Sequence, residues 1–442
     1  MELIHALLDA AKYAVAMILP LALFIGTYRL AFHPLRTFPG PFIAKLTDAY
    51  GGYQVKRKRL HLKAYSDLQK YGPVYRQGPN RLVFNTVVAL GDLRRNASIR
   101  KSHVYTFTSF SSVPHVLGTV DPEPHRMKRN VYGRVLVYMA WPAIRALDRI
   151  VMLLNMSKLL TAGRLLKNII KRRAAIEENS GRHDFWAVAS TSHSESDSPT
   201  SNSIEKSQVW AEALFFFPAG GQTSSCALSA AFFYLSRYPL VYTRLAAEIR
   251  DTFSDGSLIQ GGPQLLGCKY LRAVIDETLR MSPPTTVMPW REVNRDLSSK
   301  EPCVIDGHVV PGGTLVAISA YCLMHNEAYF PKPFAFRPER WLDNTDPDRL
   351  ARMEEAFIPF SFGDTACLGK AMAYMEISLV LAKTLWYFDF KKAPGDAGKL
   401  GGGGLGGWDG GLRDRVDEFQ LYDAFVGEHD GPNLTFIPRE MF

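Results

Sequence analysis

Phe360-Ser361-Phe362-Gly363-Asp364-Thr365-Ala366-Cys367-Leu368-Gly369 is the stretch on which the reading of this chain turns. One cysteine follows a phenylalanine and a glycine at short distances, and Lys370-Ala371-Met372-Ala373-Tyr374-Met375-Glu376 then reads as the opening of a helix. Gly363 and Gly369 let the loop fold tightly around a large flat ligand. The new helix aims its free N–H groups at the sulfur, which favours thiolate, the form that ligates metal. The ordinary alternative is a buried structural cysteine beside a helix start.

Three segments upstream weigh against that alternative. Glu277-Thr278-Leu279-Arg280 sits inside an apolar, helix-patterned run over residues 270–281, and positions i and i+3 share a face, so the two charges can pair. Phe336-Arg337-Pro338-Glu339-Arg340-Trp341 follows, and Phe217-Pro218-Ala219-Gly220-Gly221-Gln222-Thr223-Ser224 comes earlier. The small residues Ala219 and Gly220 permit a close backbone approach to a ligand. A lone Glu-x-x-Arg is weak, since exposed pairs of this kind are common.

In this order the segments resemble those of the cytochrome P-450 family. The resemblance implies a mainly α fold with small β-sheets and an N-terminal transmembrane anchor. It implies haem b with Cys367 as axial ligand, in a loop shaped by Phe360, Gly363 and Gly369. Glu277, Arg280 and Arg340 would form a buried charge network bracing the haem-binding core. Ala219 and Gly220 would line the oxygen groove, with Thr223 hydrogen-bonding the oxygen and helping to deliver protons. A thiolate on haem iron pushes electron density onto it and promotes O–O cleavage.

Two positions depart from the family pattern. Gln222 stands where the family usually has Asp or Glu, and an amide does not titrate and cannot act as an acid in a relay. Thr365 stands where an arginine commonly meets a haem propionate; that role would pass to His125, Arg129 and Arg291, through charge-assisted contacts.

The chain has 442 residues, 47% of them hydrophobic, enough for one large core. Its five cysteines, at 226, 268, 303, 322 and 367, have no disulfide or zinc spacing, which indicates a reducing compartment. Residues 1–30 read as a membrane anchor, with an uncharged apolar run from Tyr13 to Tyr28, somewhat short of the roughly twenty residues of a full span. Arg29, His33 and Arg36 follow, so a single-pass chain in the endoplasmic reticulum membrane would keep its catalytic domain cytosolic. Residues 31–41, with Pro34, Pro39 and Pro41, read as a stiff hinge, and 42–442 as the haem-binding domain.

The net charge of +9 does not indicate nucleic acid, because Lys56-Arg57-Lys58-Arg59 is one short run without a nucleic-acid-binding pattern around it. That run reads as a solvated face or a lipid-headgroup contact. Arg126, Lys128, Arg129 and Arg134 form the face that, by the resemblance, docks an acidic NADPH-dependent reductase.

Short strands such as Arg81–Phe84 and turns are expected over 42–115, helices beyond 122, a Ser-rich mobile loop over 190–207, and a hairpin at 305–311. Gly401 to Gly411 reads as a flexible surface insertion, and 418–439 as terminal strands. Between His125 and Thr223 the chain is shorter than the family pattern, with a segment around 135–150 incomplete. The expected function is a haem-thiolate monooxygenase inserting one oxygen atom from O2 into an apolar small molecule, by hydroxylation or epoxidation, in secondary-metabolite biosynthesis. Two alternatives stand beside it: a haem-thiolate isomerase or dehydratase, motivated by Gln222, and a non-catalytic truncated family member, motivated by the shortened stretch.

Overall fold

A computed structural model describes residues 2–108, 168, 172, 206–295, 302–343, 345–404, 411–424 and 426–439. Its helical half is organised around a central helix, Lys206–Leu235, against which two others pack: Lys269–Met281, carrying Glu277 and Arg280, and Lys370–Tyr387, the cysteine helix. Ile377, Leu381 and Leu385 recur at helical spacing on the cysteine helix and are buried with Ala227, Ala230 and Phe233 of the central helix and Val274, Ile275 and Leu279. Each fully buried Leu, Ile or Phe contributes about 1.5–3 kcal/mol, so this three-helix contact is a main source of stability. Tyr234 stacks on Phe336 with ring centroids 4.5 Å apart.

Among the described residues the largest sheet has five strands in the order β1-β2-β7-β4-β3: Val74–Gly78, Arg81–Phe84, Leu315–Ile318, Arg291–Val293 and Ile99–Lys101. The expected strand 81–84 is β2, paired in parallel with β7. Side-chain alternation divides the sheet between two cores. Leu82, Phe84, Val316 and Ile318 join Leu35, Leu90 and Phe330, while Val83, Leu315 and Ala317 join Leu62, Leu68 and Tyr75. The expected hairpin is β5–β6, Val304–Ile305 with His308–Val309, turned by Asp306 and Gly307, both at positive φ.

Several expectations need correction. The region 42–108 is substantially helical, with helices Phe42–Leu46, Ala49–Lys56, Leu60–Tyr71 and Val87–Arg95 between its strands. In Leu60–Tyr71 the buried residues His61, Ala64 and Leu68 follow helical spacing, a longer period than the strand-like fragments that drew attention in the sequence. The last of these helices is capped by Thr86, whose Oγ1 accepts the Ala89 N–H at 3.1 Å.

At the N-terminus Glu2–Thr27 is a helix, but among the described residues no helix is long and apolar enough to cross a membrane. The Asp9–Lys12 ion pair lies just before the uncharged run from Tyr13 to Tyr28. The hinge over 31–41 is docked as well. Leu35 is fully buried, and the Arg76 N–H donates to the Pro39 carbonyl at 2.7 Å.

The glycine-rich segment is packed at its start. Gly401, Gly402 and Gly403 are buried, the Gly403 N–H donates to the Arg415 carbonyl at 3.1 Å, and the Gly404 N–H to that of Arg413 at 2.8 Å. A Cβ on Gly403 would lie 2.3 Å from the Arg413 carbonyl oxygen and 2.5 Å from that of Arg415, so only glycine fits. Gly403→Ala is expected to cost about 1–3 kcal/mol, read as a lowered urea midpoint; an unchanged midpoint would show that the segment yields. Residues 405–410 lie outside the described residues, as do 109–167 and 190–205, with the helices, basic face and Ser-rich loop expected there.

Nor is the basic run a bare solvated face. The Lys58 carbonyl accepts the Asp423 N–H at 2.9 Å and an Arg413 N–H at 2.9 Å, and the Lys58 ammonium pairs with Glu428. Close by, His61 Nδ1 meets Asp423 Oδ1 at 2.5 Å, both groups buried. The terminal segment is mostly irregular over 418–433 and ends in β9, Leu434–Pro438, antiparallel to β8, Phe388–Lys392.

Candidate active site

Two residues at positive φ, Ser361 at 62° and Gly363 at 59°, turn the chain back on itself so that the Cys367 N–H donates to the Phe360 carbonyl at 2.8 Å. Phe362 is buried beneath the loop. Gly369 caps the cysteine helix, and a Cβ there would lie 3.8 Å from Cys367 Sγ, placing the sulfur beside the open first turn with its unpaired N–H groups. Cys367 is exposed, whereas Cys226, Cys268, Cys303 and Cys322 are buried. Burial pushes the thiols of Cys226 and Cys322 up to about 12, so those cysteines are inert. Cys367 is thus distinguished from the structural cysteines by position.

Glu277 and Arg280 are both 0% exposed, which removes the surface-pair reading. The Glu277 carboxylate accepts five N–H groups. Oε1 takes them from Arg280 Nη2 at 2.9 Å, Arg340 Nε at 3.0 Å and the Arg337 backbone at 2.9 Å, and Oε2 from Arg280 Nε at 2.9 Å and Trp341 Nε1 at 3.0 Å. Arg280 and Arg340 spend further donors on the carbonyls of Met324 and Pro331. Burial alone would raise the Glu277 carboxyl, but the Arg280 guanidinium, helped by Arg340 and the hydrogen bonds, holds it below its ordinary value. Sequence reasoning found the triad and missed Trp341, whose indole N–H completes it. The signal was present: a tryptophan directly after Arg340 carries a donor that phenylalanine lacks.

On the central helix, Thr223 Oγ1 donates to the Ala219 carbonyl at 2.6 Å, in the back-bonded geometry that loosens a helix locally. Gln222 is exposed. The next residue, Ser224, donates from Oγ to Glu376 Oε2 of the cysteine helix at 2.8 Å. That contact, unforeseen from the sequence, joins the two helices.

Arg291 begins β4 and donates through Nη2 to Thr365 Oγ1 at 2.7 Å and to the Phe362 carbonyl at 3.3 Å. An arginine from another strand thus reaches the loop position where the resemblance expects one. His125 and Arg129 lie outside the described residues.

Space and donor chemistry show whether these residues suit a haem. Among the described residues a Cβ on Gly220 or Gly221 would meet nothing within 4 Å, so this part of the central helix faces open space. Leu368, beside the sulfur, is 77% exposed. A soft sulfur donor, open faces and a guanidinium at the loop edge fit a flat iron cofactor with anionic side arms.

The arrangement suits a flat metallo-cofactor held through one cysteine. The sequence profile described as Cytochrome P-450 matches residues 137–400, which include Thr223, Glu277, Arg280, Arg340 and Cys367, and the chain belongs to that family. It is 30% identical over 534 residues to the cytochrome P-450 monooxygenase apf7 of Gibberella fujikuroi, covering 96% of this chain and 98% of the relative. It is also 30% identical over 499 residues to the cytochrome P-450 monooxygenase AKT7 of Alternaria alternata, covering 92% and 94%. With the cytochrome P-450 monooxygenase poxM of Penicillium oxalicum it shares 28% over 518 residues, covering 98% and 95%. Alignments of this length exceed the 442 residues of the chain, so the relatives carry stretches that it lacks.

Proposed function

We propose that this chain is a haem-thiolate monooxygenase that inserts one oxygen atom from O2 into an apolar small molecule of secondary metabolism, with two electrons from NADPH arriving through a reductase. The observation that carries the reading is the exposed Cys367 on a loop clamped by its own N–H to Phe360, in a chain that also holds the buried Glu277–Arg280–Arg340 network. Haem, held through Cys367, would supply two-electron activation of O2 with O–O scission and transfer of one oxygen atom.

The protein's part is positional. Arg291 would hold the anionic side arm at the loop edge, with Thr365 fixing its guanidinium. The Thr223 hydroxyl donates its hydrogen bond to the Ala219 carbonyl, which leaves its lone pairs to accept one from water in the groove. Gln222 can orient such water but cannot give it a proton.

The reduced protein with carbon monoxide should show a thiolate-shifted Soret band. With reductase, NADPH and substrate, oxygen uptake should match product formed. Turnover without oxygen uptake would favour the isomerase or dehydratase that Gln222 motivates, and failure to bind haem would favour a non-catalytic member.

The chain would work at the endoplasmic reticulum membrane with its catalytic domain cytosolic. Support comes from the N-terminal helix, which exposes Met17, Leu19, Leu21, Leu23 and Phe24, and from Phe42 and Ile43, also exposed further along. Deleting residues 2–27 should move the protein from the membrane pellet to the supernatant; unchanged partition would overturn this placement.

A further inference from the structure

Tyr374 lies on the cysteine helix, seven residues past Cys367, and its hydroxyl donates to Asp276 Oδ1 at 2.6 Å. The other oxygen of Asp276 accepts from Arg272 Nε at 2.8 Å, and the Arg272 guanidinium lies 3.6 Å from the centre of the Tyr374 ring. Tyr374 and Asp276 are buried, 9% and 8% exposed, and Asp276 immediately precedes Glu277. The Tyr374 ring also packs on that of Phe360, with centroids 5.2 Å apart. Phe360 supplies the carbonyl that holds the Cys367 N–H.

The cysteine loop needs such a brace. Ser361 occupies positive φ without being glycine, a strained conformation that persists only where surroundings over-determine it. Around Cys367, Gly363, Asp364, Leu368 and Gly369 are exposed, so the burial of the loop itself contributes little to its shape. The aromatic contact from Tyr374 to Phe360, anchored at Asp276, runs from the helix of the buried charge network to the residue that fixes the cysteine amide.

We propose that Tyr374 is a positioning residue for Cys367: it ties the start of the cysteine helix to Asp276 and props Phe360, and thereby sets where the sulfur stands. This rests on the haem-thiolate reading above. Tyr374→Phe keeps the ring and removes the anchoring hydrogen bond, and Asp276→Asn weakens the same bond from the other side. In both, the thiolate-shifted carbon monoxide band should form and then convert on warming to the unshifted form about fivefold faster than in the parent, the rate equivalent of one net hydrogen bond. The double variant should convert no faster than the single ones, because both remove the same contact.

Tyr234→Phe provides the comparison. It removes another buried tyrosine hydroxyl, one that bonds Ser282 at 2.8 Å and accepts the Phe419 N–H at 3.3 Å, and should leave the conversion rate at the parent value. All variants should melt within about 4 °C of the parent. An unchanged conversion rate in Tyr374→Phe and Asp276→Asn would overturn the proposal, as would equal acceleration by Tyr234→Phe, which would reduce the effect to general stability. A parent protein without the thiolate-shifted band would overturn the haem-thiolate reading and this proposal with it. Parent-like conversion in the variants of a band-forming protein would sink only the role of Tyr374.

Discussion

Glu277→Ala is expected to leave little or no folded protein. The substitution strips the acceptor from five N–H groups at once and leaves the Arg280 and Arg340 guanidiniums inside the protein without their counter-charge. Breaking a buried pair from one side costs about 3–5 kcal/mol, because the remaining charge cannot return to water. A total stability of about 5–15 kcal/mol leaves little after such a loss. Glu277→Gln should do nearly as badly, since the amide keeps the shape, removes the charge and turns two donors toward donors.

The contrast is Glu339→Ala, two residues along the chain from Arg337. Its side chain is 46% exposed, its pair with Arg244 spans 3.4 Å, and it accepts the Tyr270 hydroxyl at 2.6 Å, so it should lower stability by about 1–2 kcal/mol. Soluble yield and urea midpoints read the difference; a Glu277→Ala midpoint near that of Glu339→Ala would show that the network braces nothing. The same carboxylate gives a pH dependence with a definite sign. Its folded value lies below the ordinary 4.5, so its contribution is full above about pH 4.5 and drains as pH falls through the lower folded value. An acid melt should therefore show stability lost on acidification in that window.

Cys367→Ala should give the opposite pattern: an intact fold and no oxygenation. The side chain is exposed, and the N–H bond to Phe360 survives the substitution, so stability should change by about 0.5 kcal/mol or less. The sulfur donor is lost altogether, and with it the electron donation that favours O–O cleavage. The reduced carbon monoxide spectrum should lose its shifted band, and product formation should fall to the rate without enzyme. Alanine at the buried Cys226 or Cys322 should reverse these results, costing about 1 kcal/mol while leaving the band in place. A shifted band in Cys367→Ala would remove the cysteine from its assigned role.

Most of the site could be read from local residue order because the network and the loop are each built from short contiguous motifs. Glu277 and Arg280 share a helix face, Arg340 sits in a Pro-bounded turn, and the glycines around Cys367 mark a loop by their backbone freedom alone. What escaped were contacts between motifs. Trp341 to Glu277, Ser224 to Glu376 and Tyr374 to Asp276 each link residues far apart in sequence, and nothing in the spacing of either partner specifies the other. Arg291 was nominated for a propionate, but its anchoring on Thr365 depends on sheet pairing that brings β4 to the loop.

In the fold, β2 was visible from its three consecutive apolar residues, Leu82, Val83 and Phe84, while the helices between 42 and 95 hid behind glycine and charge. The reading of Gly401–Gly403 failed for a different reason. Glycine serves flexible chain and tightly apposed backbone equally well, and composition does not separate the two.

The fastening of Lys58 and His61 to the segment 413–428 has a consequence for synthesis. On the ribosome the N-terminal sheet region emerges early, but the carboxylate that meets the buried His61 imidazole belongs to Asp423, 362 residues further along. Early-emerging strands and helices can collapse, yet this region cannot close until Asp423 has emerged, and the nascent chain must remain protected through that delay. A premature stop before codon 423 would therefore damage the beginning of the protein as much as its end.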